Sequence, residues 1–130
     1  MKKFQLVLLI VITISQLTCK EEQNKPTHNS PVQSLEQEVQ NLLSQNALVI
    51  DVRTKEEYQM AHFKDALLIP YDEIEKNLKN LEPYKDKPII LYCRSGRRAG
   101  IAKQILEQNG FKNVINAINL NYFPTDKIVR

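Results

Sequence analysis

Four short apolar runs, separated by stretches of helical periodicity, constrain this chain more than any other feature. They are Ala47–Val52, Ala66–Ile69, Ile89–Tyr92 and Val114–Ile115. The runs are continuous rather than alternating, which predicts strands buried on both faces, as in parallel sheets covered by helices. The intervening segments supply those helices. Ser34 with Gln37 reads as a capping box ahead of the stripe Leu35, Val39, Leu42 and Leu43. Thr54 with Glu57 caps a short helix running to about His62. Tyr71 to about Leu81 sets Ile74, Leu78 and Leu81 on one face. Arg97–Asn109 turns Ile101, Ile105 and Leu106 inward, and Gly110 stops it. The alternation predicts an α/β fold of three layers, a parallel sheet of about four to five strands with right-handed crossovers, flanked by helices.

With 130 residues and 42% apolar content, the chain fits one domain once its amino-terminal part is set aside. Met1-Lys2-Lys3 precedes an apolar run from Phe4 to Ile14, interrupted only by Gln5 and Thr13. This pattern predicts a secretory signal over residues 1–19. The run falls short of the roughly 20 residues that a bilayer span needs, which leaves an uncleaved anchor as the second reading. Cys19 follows Gln16-Leu17-Thr18, a loose resemblance to a bacterial lipoprotein signal. Cys19 is therefore a candidate lipidation site, with a plain cleaved signal as the alternative. Residues 20–33 hold almost nothing apolar and are expected to form a flexible tether to a domain at 34–130. The implied location is periplasmic, or membrane-anchored and facing the periplasm. Of the 18 basic residues, Lys2 and Lys3 lie in the leader, and the rest balance the 15 acidic ones to within one charge. Nucleic acid is not an expected partner of such a near-neutral domain.

The chain holds two cysteines, and with Cys19 removed or lipidated Cys93 stands alone. That excludes an internal disulfide and a Cys-x-x-Cys redox pair. One thiol with His28 and His62 does not make a zinc ligand set, so neither metal nor cofactor is expected. The neighbours of Cys93 argue against an inert core thiol. It follows the strand Ile89–Tyr92 and opens the loop Cys93-Arg94-Ser95-Gly96-Arg97-Arg98 ahead of a helix. Unpaired amides and the helix dipole converge in such a loop, which makes it an anion site and stabilises a thiolate. Asp51-Val52-Arg53 ends the first strand, and ligand sites in open α/β sheets lie beyond the carboxyl ends of strands. An acid, an arginine and the thiol loop are thus predicted on one rim.

At these residues the chain resembles a family. From about Leu35 to Pro124 it is similar to single-domain rhodanese-like sulfurtransferases, in particular the exported phage-shock protein E type. The shared elements are Val49-Ile50-Asp51-Val52-Arg53, Glu57-Tyr58, Ala61-His62, Ala66 and Ile69-Pro70. Tyr92-Cys93-Arg94-Ser95-Gly96-Arg97 and Asn109-Gly110-Phe111 through Val114 complete them in the family order. The resemblance implies a rhodanese fold and a catalytic Cys93 that carries sulfane sulfur as a persulfide. It implies a small sulfur-containing anion such as thiosulfate as donor, and a thiol or cyanide-like acceptor. Ala61, Asp65, Ile118 and Asn119 stand where family members usually have glycines, and the last pair affects the packing over the carboxyl-terminal rim.

The side chains divide into expected roles. Arg94, Ser95, Gly96, Arg97 and Arg98 form the substrate-binding loop, with Arg94 and Arg97 attracting a dianion and Gly96 permitting the tight backbone. Arg98 is either part of that loop or a surface charge. Asp51 is expected to order the loop by accepting hydrogen bonds, because a carboxylate beside the sulfur would oppose thiolate formation. Arg53 is expected to pair with Glu56 or Glu57, and His62 to be structural. Tyr58, Phe63 and Tyr92 read as core. The enzyme rival is a cysteine phosphatase or arsenate reductase, which needs an arginine after five intervening residues. That position is Ala99, with Arg98 one residue too early, so the loop suits sulfur better than a phosphoryl group. A persulfide carrier and a non-catalytic module binding an anion or a partner remain open.

Overall fold

The structure, a computed structural model, describes residues 31–130. The predicted leader, Cys19, His28 and the tether up to residue 30 lie outside the described residues. The first helix, α1 (Pro31–Ser44), begins ahead of Ser34, with proline in its first turn, where a missing N–H costs nothing. Ser34 is therefore inside the helix rather than capping it, and its hydroxyl donates back to the Pro31 carbonyl at 2.7 Å. The helix closes where Asn46 takes a left-handed conformation, φ 59°. There the amides of Asn46 and Ala47 reach back to the carbonyls of Leu43 and Leu42, both at 3.1 Å.

The remaining regular elements in chain order are β1 (Leu48–Asp51), α2 (Lys55–Met60), β2 (His62–Phe63), β3 (Leu67–Leu68), α3 (Ile74–Leu81), β4 (Ile89–Tyr92), α4 (Arg97–Gln108), β5 (Val114–Asn116) and β6 (Ile128–Val129). One 3-10 turn, Tyr71–Glu73, leads into α3, so the expected Tyr71–Leu81 helix is present with a tighter first turn. The predicted box at Thr54 forms in full: the Thr54 side chain accepts from the Glu57 amide and the Glu57 carboxylate accepts from the Thr54 amide. That helix stops at Met60, short of the predicted His62, because His62 and Phe63 pair antiparallel with Val129 and Ile128.

The main sheet is parallel with strand order β3-β1-β4-β5, and β2 with β6 makes a separate two-stranded ribbon. Four strands thus share the sheet. The central strand β4 is buried along its whole length, as its unbroken apolar sequence predicts. Its side chains alternate between two cores. Ile89, Leu91 and then Cys93 face α3 and α4 with Ile50, Ile74 and Leu106. Ile90 and Tyr92 face α1 and the carboxyl-terminal segment with Val39, Val49 and Phe123. Burying one such aliphatic side chain contributes about 1.5–3 kcal/mol, so the register that sends Cys93 toward α4 is set by its strand neighbours.

Candidate active site

Register alone brings the functional residues together. Asp51 at the end of β1 is paired with Tyr92 at the end of β4, and Asn116 at the end of β5 is paired with Leu91. Cys93 is the next residue of the central strand, so it emerges between two polar strand ends. Its own amide donates to the Ile118 carbonyl at 3.0 Å. Beyond it the chain turns at once into α4, and Gly96, with φ 88°, is the residue before the helix. Only glycine adopts that conformation without strain, and it lets the Gly96 amide point back at the Cys93 sulfur, 3.0 Å away.

The thiol is 1% exposed, and that burial pushes its pKa up. The Gly96 amide donates to the sulfur, and with it the neighbouring amides of Ala99, Ser95 and Arg98 favour the thiolate enough to outweigh the burial, leaving the thiol below its ordinary pKa. The loop and the first turn of α4 thus form a cradle of N–H groups around one sulfur atom. Ala99 supplies an amide at the position where a phosphatase would carry its arginine.

The arginines of the loop differ in what they do. Arg94, Ser95 and Arg97 are exposed, and among the described residues Arg94 and Arg97 form no ion pair. The Arg97 guanidinium lies 5.8 Å over the Tyr71 ring. Arg98 is not a free surface charge. It forks onto Glu57 with bonds of 2.7 and 2.9 Å, and its side chain is 18% exposed. That pair holds Glu57 down to about 2, chiefly through the Arg98 bonds. Glu57 raises the pKa of Arg98, and a thiolate at Cys93 adds to the effect.

Arg53 meets neither Glu56 nor Glu57. It closes on Asp51, two residues back, with Nη2 to Oδ2 at 2.6 Å and Nε to Oδ1 at 2.9 Å, and its backbone amide donates to Oδ1 at 3.0 Å. The reason is local: Glu57 is already taken by Arg98 and by the cap of α2, while the turn after β1 folds Arg53 onto Asp51. Asp51, fully buried, therefore orders Arg53 rather than the thiol loop. Arg53 also donates to the Ala61 carbonyl at 2.6 Å and lies 5.3 Å over the Tyr92 ring. Tyr92 is buried, as expected, and burial first of all pushes its hydroxyl pKa up. That hydroxyl accepts from the Phe63 amide at 3.1 Å. His62 stacks on Tyr58 at 3.8 Å and its Nδ1 lies 2.8 Å from the Tyr58 carbonyl.

A family model for the rhodanese-like domain matches residues 35–119. The chain belongs to the rhodanese-like family. It is 37% identical over 79 residues to thiosulfate sulfurtransferase PspE of Escherichia coli, covering 61% of this chain and 76% of that protein. It is 35% identical over 99 residues to the candidate sulfur carrier protein YrkF of Bacillus subtilis, covering 75% of this chain and about half, 52%, of that protein. A solved structure described as a rhodanese with anions, from Escherichia coli, superposes with a TM-score of 0.58 at 35% identity, covering 65% of this chain and 98% of that one. The parallel sheet with helices on both faces is the rhodanese architecture, as the resemblance implied.

The four residues in place of usual rhodanese glycines separate into two kinds. Ala61 at φ −166° and Asn119 at φ −152° are extended, which any residue adopts. Asp65 at φ 65° and Ile118 at φ 64° are left-handed. Aspartate tolerates that region, whereas a β-branched residue there is an outlier. Ile118 sits beside the thiol loop, its side chain 3.5 Å from where a Gly96 Cβ would project. One further polar residue at this rim went unpredicted. Asn116 donates to the Gly96 carbonyl at 2.8 Å and accepts from the Ile118 amide at 2.9 Å. A polar side chain closing the apolar run Val114–Ile115 was the available signal, the same one that marked Asp51.

Proposed function

We propose that this protein is a thiosulfate sulfurtransferase that moves sulfane sulfur through a persulfide on Cys93. The observation that carries the reading is a buried Cys93 sulfur bonded at 3.0 Å by the Gly96 amide, in a loop whose amides lower its pKa. The Cys93 thiolate attacks the outer sulfur of thiosulfate. A new S–S bond forms as the sulfur–sulfur bond of the donor breaks, and its electron pair leaves with sulfite. A nucleophilic acceptor, a thiol or cyanide, then takes the outer sulfur and returns Cys93 as thiolate. Splitting the transfer in this way gives ping-pong kinetics. The cradle amides serve the thiolate and the persulfide, and the exposed Arg94 and Arg97 attract the dianion. Ser95 contributes its amide, and Arg98, fixed by Glu57, adds positive charge beside the sulfur. The recessed sulfur favours slender donors and acceptors over a flat protein surface. Incubation with thiosulfate is expected to add the mass of one sulfur to the chain and none to Cys93→Ser; an unmodified wild type overturns the reading.

A carrier role, with a protein thiol as acceptor, draws support from the likeness to YrkF. It predicts that the persulfide survives small thiols and discharges to a protein partner.

For location we propose export, with residues 1–19 as a signal that is either simply cleaved or of the lipoprotein type with the lipid on Cys19. The support is the charged and apolar order of the leader. With the lipid in place, Cys19→Ala is expected to move the domain from the membrane to the soluble fraction, and unchanged fractionation argues against the anchor.

A further inference from the structure

We infer that Asn116 is a positioning residue that holds the amide cradle in place around the Cys93 sulfur. Four hydrogen bonds close a ring through this one side chain. The Cys93 amide donates to the Ile118 carbonyl at 3.0 Å. The Ile118 amide donates to Asn116 Oδ1 at 2.9 Å, and Asn116 Nδ2 donates to the Gly96 carbonyl at 2.8 Å. The Gly96 amide returns to the Cys93 sulfur at 3.0 Å. Both ends of the carboxamide are assigned by their partners, since an N–H can only face its oxygen and a carbonyl only its nitrogen.

The position of Asn116 in this ring explains what it does. Gly96 has the freest backbone in the loop and occupies a left-handed conformation. Its carbonyl accepts from Gly100 inside α4, at 2.8 Å, and from Asn116 outside it. The first bond fixes the helix to itself. The second ties the start of that helix, with the amides of Arg98 and Ala99, to β5. The other end of Asn116 holds Ile118 in the left-handed turn that presents its carbonyl to Cys93. Loop and sulfur are thereby referenced to the same strand end. Removing the side chain leaves the helix intact but lets its first turn drift from the sulfur, and a donor displaced by a few tenths of an ångström interacts measurably less.

The test is the rate of alkylation of Cys93 by iodoacetamide against pH, followed on the Cys93 peptide of the full chain. This reads the free thiolate and needs no sulfur donor, so its outcome is separate from that of the thiosulfate reading. Asn116→Ala is expected to move the midpoint upward, slowing alkylation about tenfold near neutral pH with the same plateau in alkali. Asn116→Ser retains a hydroxyl that can accept from the Ile118 amide but cannot reach the Gly96 carbonyl, and it is expected to shift the midpoint in the same direction. Should the alanine variant fail to fold, the serine variant decides. Val39→Ala, on the far face of the sheet, loosens the core without touching the ring and is expected to keep the wild-type midpoint. A folded Asn116→Ser with the wild-type midpoint, or an equal shift in Val39→Ala, overturns the proposal.

Discussion

Arg53 and Arg97 stand on the same rim of one sheet and use their charge in opposite ways. Arg53 is 11% exposed and gives its donors to a fully buried Asp51 and to the Ala61 carbonyl. Arg97, four residues beyond the cysteine, is exposed; its guanidinium lies over the face of Tyr71 and makes no ion pair among the described residues. The difference teaches which charges belong to the scaffold and which are left for a ligand. A buried ion pair in which the arginine's Nε and Nη2 both find acceptors is a fixed part of the wall. An arginine beside an amide cradle with its fork unmet can bind an anion at the cost of little more than its own ordering. Arg98 lies between the two, fixed by Glu57 yet close enough to feel a thiolate.

The comparison breaks if the two arginines' sites respond alike to mutation. Asp51→Ala leaves Arg53 buried and uncompensated, and is expected to lower stability by about 3–5 kcal/mol. Arg97→Ala is expected to change stability by less than about 1 kcal/mol, as befits an exposed cation over a ring. Its thiosulfate turnover should fall by about 1.5–3 kcal/mol, roughly ten- to a hundredfold, through lost charge-assisted hydrogen bonds. Urea unfolding and steady-state kinetics on both variants give the crossed result. Equal stability losses, or full activity in Arg97→Ala, refute the division.

What the sequence makes legible follows the range of the interaction. Strands β1, β3, β4 and β5 appear as apolar runs; burial on both faces accounts for the central β4, whereas the edge strand β3 leaves Leu67 exposed, against the expectation for its run. The Thr54–Glu57 box and the Gly110 stop depend on neighbours within a turn, and both form. The loop around Cys93 is equally local. Illegible were the pairings. Arg98 finds Glu57 across 41 residues, and Arg53 takes Asp51 because Glu57 is no longer free. Strands β2 and β6 are two residues each, too short to carry periodicity, and exist only because the chain's end returns to His62 and Phe63. Ile118 shows the converse. Nothing in the side chain announces a left-handed backbone; the conformation comes from Asn116 and Cys93, which grip its amide and carbonyl.

The Glu57–Arg98 pair sharpens the comparison at its smallest scale, since it tests whether the intermediate case contributes as wall or as ligand site. Glu57 sits at about 2 in the folded protein, against about 4.5 for a free glutamate, first because Arg98 donates to it. A carboxylate held below its unfolded pKa adds stability above the unfolded value and loses it as pH falls toward the folded one. The contribution is therefore complete above about pH 4.5 and gone below about pH 2. With the Glu57 side chain 27% exposed, solvent screens the pair, and about 1 kcal/mol or less is expected. Urea midpoints of wild type and Glu57→Gln should differ at neutral pH and converge across that acid window. A gap that persists unchanged at low pH shows that the stability does not reside in the charge of Glu57, which acid removes. A variant that matches wild type in stability yet loses thiolate reactivity at neutral pH places Arg98 with Arg97, on the ligand's side of the division.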